Sequence, residues 1–157
     1  MENNKIITTV IPTFNREQYL KKSIESCLDQ TVKHEIIVCN HGGTDGTDEM
    51  IKQFQGKIKY IKKEKDNGPN YCWLDGVMEA KGDFINLLFD DDWIDQNYVE
   101  NCMKFIDDPK VGFVFTPAKI YDDDAHEVTD IQHNNYLFKD GIYEVSKYEL
   151  DLLYSLI

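Results

Sequence analysis

Several things this sequence lacks narrow its reading before any motif is considered. No apolar run approaches the ~18–20 residues that cross a bilayer, and the N-terminus Met1-Glu2-Asn3-Asn4-Lys5 has none of the pattern of a signal peptide. Cysteine is scarce and unpaired in pattern: Cys27, Cys39, Cys72 and Cys102 lie far apart with no CxxC spacing. Reduced core thiols in a cytoplasmic protein are the expectation, ahead of a metal or redox site. Basic residues are outnumbered, 17 Lys and Arg against 29 Asp and Glu, for a formal net charge of −12. That balance excludes a nucleic-acid backbone as the main partner. It also sits awkwardly with an anionic nucleotide unless a divalent cation dominates the local charge. No GxGxxG follows the first strand and no GxxxxGK[ST] occurs, which removes most of the case for dinucleotide-dependent oxidoreductases and P-loop NTPases.

What is present is a chain of 157 residues, 41% hydrophobic and 29% charged, long enough for one well-cored domain. Ile6 to Ile11 is β-branched throughout and reads as a buried strand stopping at Pro12. Asn15 with Gln18 resembles a capping pair, after which Leu20, Ile24, Cys27 and Leu28 share a helical face. Glu35 to Cys39 reads as a second strand, and a short helix from Thr47 turns Met50, Ile51 and Phe54 inward. Ile58 to Ile61 is a weaker third strand. Tyr71, Leu74, Val77 and Met78 form the next helical stripe, stopped by Gly82. Phe84 to Phe89 is a fourth strand, Val99, Cys102, Met103 and Ile106 another helical face, and Val111 to Phe115 a fifth strand. This alternation predicts an α/β fold, a mainly parallel Rossmann-like sheet with helices on both faces.

Beyond Pro117 the rhythm changes. Lys119 to Asp122 and Glu127 to Ile131 read as a hairpin, and Ser146 to Ile157 as a helix with Leu150, Leu153, Tyr154 and Ile157 on one face. That apolar pattern runs to the last residue without a cap. The expectation is that the natural protein continues, or that another surface, including a second copy, covers this face. The division expected within one overall domain is residues 1–117 as a core and 118–157 as the lead into a missing half.

In an open α/β sheet, ligands bind beyond the carboxyl ends of the strands. Those ends are Pro12-Thr13-Phe14-Asn15, Asn40-His41-Gly42-Gly43, Glu64 to Gly68, and Asp90-Asp91-Asp92. Three adjacent carboxylates repel one another unless a cation or strong donors lie close by. Hard oxygen ligands of this kind suit Mg²⁺ or Mn²⁺ completed by substrate phosphates. The alternative is that Asp92 or Asp95 caps a helix beginning near Ile94.

Taken together, four stretches resemble the motifs of a family 2 glycosyltransferase with a GT-A fold, in the right order between about Ile6 and Thr116. They are Thr9 to Arg16, Glu35 to Thr47, Asp66-Asn67-Gly68 through Gly76, and Ala80 through Trp93. The resemblance implies a donor-binding core for a nucleotide-diphosphate sugar. Phe14 would lie against the nucleobase, with Pro12 and Thr13 shaping the pocket. Asn40 stands where the family has an acidic residue that accepts from the base, and an Asn carbonyl there suits the N3–H of uracil or thymine better than guanine. Asp66 and Asn67 would contact base or ribose, unless they only form an Asn-Gly turn. Asp90 would sit by ribose or metal, and Asp91 would be the metal ligand. Phe89 replaces the first acid of that motif, and His41 is a further departure.

The reaction implied is metal-assisted transfer with inversion, UDP or dTDP favoured, to a glycan, lipid-linked or protein acceptor that the sequence does not name. The catalytic base is expected beyond Ile157, and any contact with the inner face of a membrane is left to parts outside this chain. The departures leave open a catalytically incomplete binding or regulatory module of the same fold.

Overall fold

The computed structural model describes residues 5–132 except Phe115. Two compact units divide after Pro109. The first contains a four-stranded sheet in the order β3-β2-β1-β4, from β1 (Ile7–Thr13), β2 (Glu35–His41), β3 (Lys59–Lys63) and β4 (Phe84–Leu87). Every neighbouring pair in it is parallel. The helices are α1 (Glu17–Leu28), α2 (Thr47–Ile51) with a 3-10 turn at Lys52–Phe54, α3 (Pro69–Met78) and α4 (Tyr98–Ile106). The expected GT-A-like parallel sheet with helices on both faces is therefore what forms.

Strand alternation assigns the core. Ile11, Ile36 and Val38 point to one face, where Leu20, Ile24 and Cys27 of α1 meet Ile51 of α2 and Phe54. Val10, Ile37 and Cys39 point to the other, where Cys72 of α3 packs. β1 and β2 are buried along almost their whole length, as expected of continuous apolar strands covered on both faces.

Four local expectations are corrected. β1 does not stop at Pro12 but runs to Thr13, with Pro12 opposite Cys39. Pro12 shares the parity of Val10, whose carbonyl accepts from Leu88 on the β4 side. β4 has ended at Leu87 by then, so no ladder partner waits for the missing N–H. α3 turns the other way about its axis. Tyr71, Leu74, Val77 and Met78 are exposed, and the small residues Cys72 and Gly76 face the sheet. A Cβ on Gly76 would lie 2.3 Å from Val10 Cγ1 and 2.8 Å from Cys39 Sγ, so closeness of approach decides which face packs. Residues 111–114 carry no regular structure; Gly112 weakens the run and Phe113 is exposed. The helix expected near Ile94 begins at Tyr98, with Asn97 at its cap position and no side-chain cap. Asp92 is too far upstream to cap it, and Asp95 contributes its backbone carbonyl to the Tyr98 N–H.

Within the second unit, β5 (Ala118–Asp122) and β6 (Glu127–Gln132) form the expected antiparallel hairpin. Asp122 closes its turn by accepting from the N–H groups of Asp124 and Ala125. The helix read from Ser146 to Ile157, and the self-association assigned to it, lie outside the described residues. Among the described residues no helix is long and apolar enough to cross a membrane.

Candidate donor and metal site

The loops after β1, β2, β3 and β4 all leave the carboxyl edge of the sheet, and side chains lock them to one another. Asn15 is not a helix cap. It adopts a left-handed backbone, φ 54°, and its carbonyl accepts from Thr44 N at 2.7 Å and Asp45 N at 3.3 Å. Arg16 takes the cap position of α1 without a capping side-chain bond. The first free N–H of the helix, on Glu17, is satisfied instead by Asp45 Oδ2 at 3.0 Å. The other Asp45 oxygen accepts from Thr47 N at the start of α2. One carboxylate thus serves two helix starts. Partial burial works to raise the Asp45 pKa, but these hydrogen bonds outweigh it and hold the group below the ordinary carboxylate range.

The loop after β2 is tied down from below and from the side. Asn40 is fully buried; its oxygen accepts from Gly43 N at 3.1 Å and its nitrogen donates to the Tyr60 hydroxyl at 2.9 Å. Tyr60 in turn donates to Asp48. The direct base contact expected of Asn40 is therefore not open in this geometry, because the Gly42–Gly43 turn covers it. Gly42 donates to Lys63 O and has φ 72°, and a Cβ there would meet Asp66 N at 2.6 Å. Only glycine permits that approach between the two loops. Asp66 closes an Asx turn onto Gly68 N at 2.7 Å, the turn alternative for this pair, and both Asp66 and Asn67 are exposed at the edge. His41 is buried with Nε2 3.2 Å from Asp75 Oδ2, out of hydrogen-bond alignment, and Nδ1 has no partner among the described residues. It is the last residue of β2 and lies against Asp75 of α3.

The acidic run separates into three different groups. Asp90 is 4% exposed and has both oxygens engaged. Oδ2 accepts from Thr13 Oγ1 at 2.7 Å and Oδ1 from Arg16 Nη1 at 3.0 Å. Burial dominates and raises its pKa, while Thr13 and Arg16 pull the other way. Asp91 is open to solvent and meets Arg16 Nη2 with Oδ2 at 3.0 Å. Asp92 has no ion pair among the described residues, and burial, then its two acidic neighbours, raise its pKa. Phe89 packs edge-on against Trp73, ring centres 5.6 Å apart, and its carbonyl accepts from Ser23. Pro12 and Thr13 are buried in the floor, and Phe14 is 47% exposed above it.

The donor set fits a hard divalent cation that takes only one or two ligands from the protein. Among the described residues no group of three or more His, Cys, Asp or Glu side chains converges as a metal cage. Asp91 offers an accessible carboxylate, whereas Asp90 is buried with both oxygens already engaged by Thr13 and Arg16. One carboxylate with phosphate oxygens and water completing the shell is a familiar arrangement for Mg²⁺ and Mn²⁺.

Arg16 is the residue that sequence reasoning passed over. It appeared only as the end of the first motif. The available signal was a cation in one strand-end loop of a chain with 29 acids, with three adjacent Asp residues in another such loop.

The sequence profile of Glycosyl transferase family 2 matches residues 8–153. The chain belongs to that family. It is 38% identical to glycosyltransferase GlyA of Streptococcus pneumoniae serotype 4 over 104 residues, 64% of this chain and 15% of GlyA. It is 32% identical to the chondroitin synthase of Pasteurella multocida over 115 residues, 71% of this chain and 12% of the synthase. The family 2 chain therefore spans only a small part of these relatives. Among solved structures, S. aureus TarS 1-349 in complex with UDP superposes with a TM-score of 0.63 at 21% identity, covering 74% of this chain and 39% of that TarS 1-349 chain. The mannosyltransferase PcManGT of Pyrobaculum calidifontis, with GDP-Man and Mn²⁺, gives 0.63 at 20%, covering 69% and 34%. These likenesses establish a GT-A fold.

Proposed function

We propose that this chain is the donor-binding part of a glycosyltransferase that takes a sugar from a nucleotide diphosphate with a divalent cation held at Asp91. The observation that carries the reading is the split of the acidic run at the end of β4: Asp90 is buried as a brace and Asp91 is left accessible beside it. That UDP in one solved relative and GDP-Man with Mn²⁺ in another are held by the same fold supports the substrate class.

In this reading Phe14 lies against the base, Pro12 and Thr13 form the floor, and Asp66 and Asn67 border the base and ribose side. Asn40 sets the height of the Gly42–Gly43 turn through its bond to Gly43 N. If that turn moves aside, the second lone pair of its oxygen accepts an imide N–H, which places uracil and thymine ahead of guanine. A cation at Asp91 would stabilise the departing diphosphate as a Lewis acid. Asp90 anchors the loop that carries Asp91, through Thr13 and Arg16. Transfer is by direct displacement with inversion, and no residue described here is assigned as the base that deprotonates the acceptor. The sugar and the glycan, lipid-linked or protein acceptor are left open, and a cytoplasmic site of action is part of the same proposal.

A second reading is favoured by one observation. Phe89 occupies the first position of the acidic motif and is turned onto Trp73, which fits a module that keeps the nucleotide pocket without catalysis. Calorimetry with UDP, dTDP, CDP and GDP, each with and without Mn²⁺, tests the common core of both. Metal-dependent binding with UDP or dTDP ahead, abolished in Asp91→Ala, is expected. Equal binding without metal refutes the assignment of Asp91.

A further inference from the structure

The guanidinium of Arg16 sits where the positive charge of a metal would be needed. One of its nitrogens meets the buried Asp90 at 3.0 Å and another the accessible Asp91 at 3.0 Å. Its backbone is fixed: Asn15 before it is pinned to the loop after β2, and the N–H of Glu17 after it to Asp45. Its own carbonyl accepts from Tyr19 N and Leu20 N. The Tyr19 ring lies under the guanidinium carbon at 5.5 Å, a favourable cation–π distance. Two adjacent carboxylates with a planar fork laid across them form a unit in which one of the two negative charges is offset, since Arg keeps its charge at any accessible pH. The fork is half exposed, so the bond to Asp91 is weak enough to exchange.

We propose that Arg16 is a placeholder cation. It holds Asp91 in position while the site has no donor, competes with free divalent metal for that carboxylate, and releases Asp91 to the metal when the nucleotide diphosphate arrives. This rests on the metal reading above. Its consequence is an order of loading. The protein takes up metal poorly by itself and well together with the nucleotide, whose phosphate oxygens complete the shell and give the freed guanidinium a new anionic partner. Asp90 keeps its Thr13 bond throughout, so the loop does not collapse during the exchange.

The test is Mn²⁺ binding, read by the loss of the free-ion electron paramagnetic resonance signal, with no turnover needed. Without nucleotide, Arg16→Gln is expected to bind Mn²⁺ about two- to fivefold more tightly than wild type, the scale of a half-exposed ion pair. The factor by which UDP tightens Mn²⁺ is expected to shrink in the same variant. Lys21→Gln controls for charge alone, since Lys21 pairs with Glu25 on α1 and with neither of these acids. An equal gain in Lys21→Gln, or no gain in Arg16→Gln, overturns the proposal while leaving the metal site standing. Failure of wild type to bind Mn²⁺ even with UDP removes the metal reading and the placeholder with it. If Arg16→Gln does not fold, Arg16→Lys carries the comparison. One ammonium cannot bridge both carboxylates as the fork does, so free Mn²⁺ is again expected to bind more tightly than to wild type, and an unchanged affinity overturns the idea.

Discussion

Substituting Asp90 and Asp91 separately distinguishes a brace from a ligand, because the two differ in burial while sharing Arg16. In Asp90→Ala the Thr13 hydroxyl loses its acceptor inside a site that is 4% exposed at both residues. An unsatisfied buried hydroxyl costs about 1–3 kcal/mol. The small cavity adds to this, and Arg16 adds little because water reaches it, so a loss of about 2–4 kcal/mol is expected. Asp90→Asn is milder. The carboxamide oxygen can accept from Arg16 while its nitrogen donates to Thr13 Oγ1, which turns to accept. Both contacts survive without the charge, at a cost of about 1 kcal/mol. Asp91→Ala breaks one solvent-screened ion pair and is expected to stay within about 0.5 kcal/mol of wild type.

Urea denaturation gives these differences directly, and the same samples titrated with UDP and Mn²⁺ show the reverse order, with Asp91→Ala the more damaging. The pH dependence supplies a check. Burial raises the Asp90 pKa in the folded state, so between the ordinary carboxyl value and the raised one the folded protein binds more protons than the unfolded. Stability from this group therefore falls as pH rises through that window, and the difference between wild type and Asp90→Asn shrinks with it. If Asp91→Ala destabilises as much as Asp90→Ala, or the difference grows with pH, the division of roles is refuted.

Three further outcomes are expected. Burial pushes the Cys27 and Cys39 thiols up to about 12 and Cys72 to about 11, so the unfolded chain releases these protons first and stability falls as pH rises above the ordinary thiol value, by up to about 1.4 kcal/mol per pH unit per thiol. Denaturation midpoints at pH 8, 9 and 10 measure the slope, and a flat profile contradicts the burial. Gly76→Ala forces a methyl against Val10 and Cys39, and the strain of about 1–3 kcal/mol exceeds the gain in helix propensity, so a lowered Tm is expected and a raised one excludes the close approach of α3. The purified 157-residue chain is expected to show little transferase turnover with any acceptor; robust turnover would mean that a catalytic carboxylate lies within these 157 residues.

How much the sequence could reveal depended on the kind of interaction. β1, β2 and the inward faces of α1 and α4 were legible because long apolar runs and 3.6-residue spacing report burial directly. α3 was misread because bulk was taken for contact, whereas Cys72 and Gly76 pack by being small. Asn15 was read as a cap because cap chemistry and loop bridging use the same side chain, and only the fold brings Thr44 within reach. The grouping of Thr13 with Asp90 followed from the rule that ligands gather at strand ends. The tie from Arg16 to Asp90 spans 74 residues and depends on one rotamer. Asn40 was assigned to the base by type and position, while the turn that buries it is set by glycines whose effect a linear reading does not measure.

The division of the acidic run also constrains how a donor can bind. On the proposed reading, a chain with a net charge of −12 receives a diphosphate at an edge where three carboxylates already stand together. Arg16 offsets one of those charges and burial raises the pKa of two of the groups, but neither supplies the ligands that a hard cation needs. Asp91 alone is too few, so the missing oxygens must come from the diphosphate and water. Metal and nucleotide then each complete the other's site. By linkage, the factor by which Mn²⁺ tightens UDP must equal the factor by which UDP tightens Mn²⁺. A strong coupling of this kind is what an edge with one open carboxylate implies, and a preassembled metal cage would not show it.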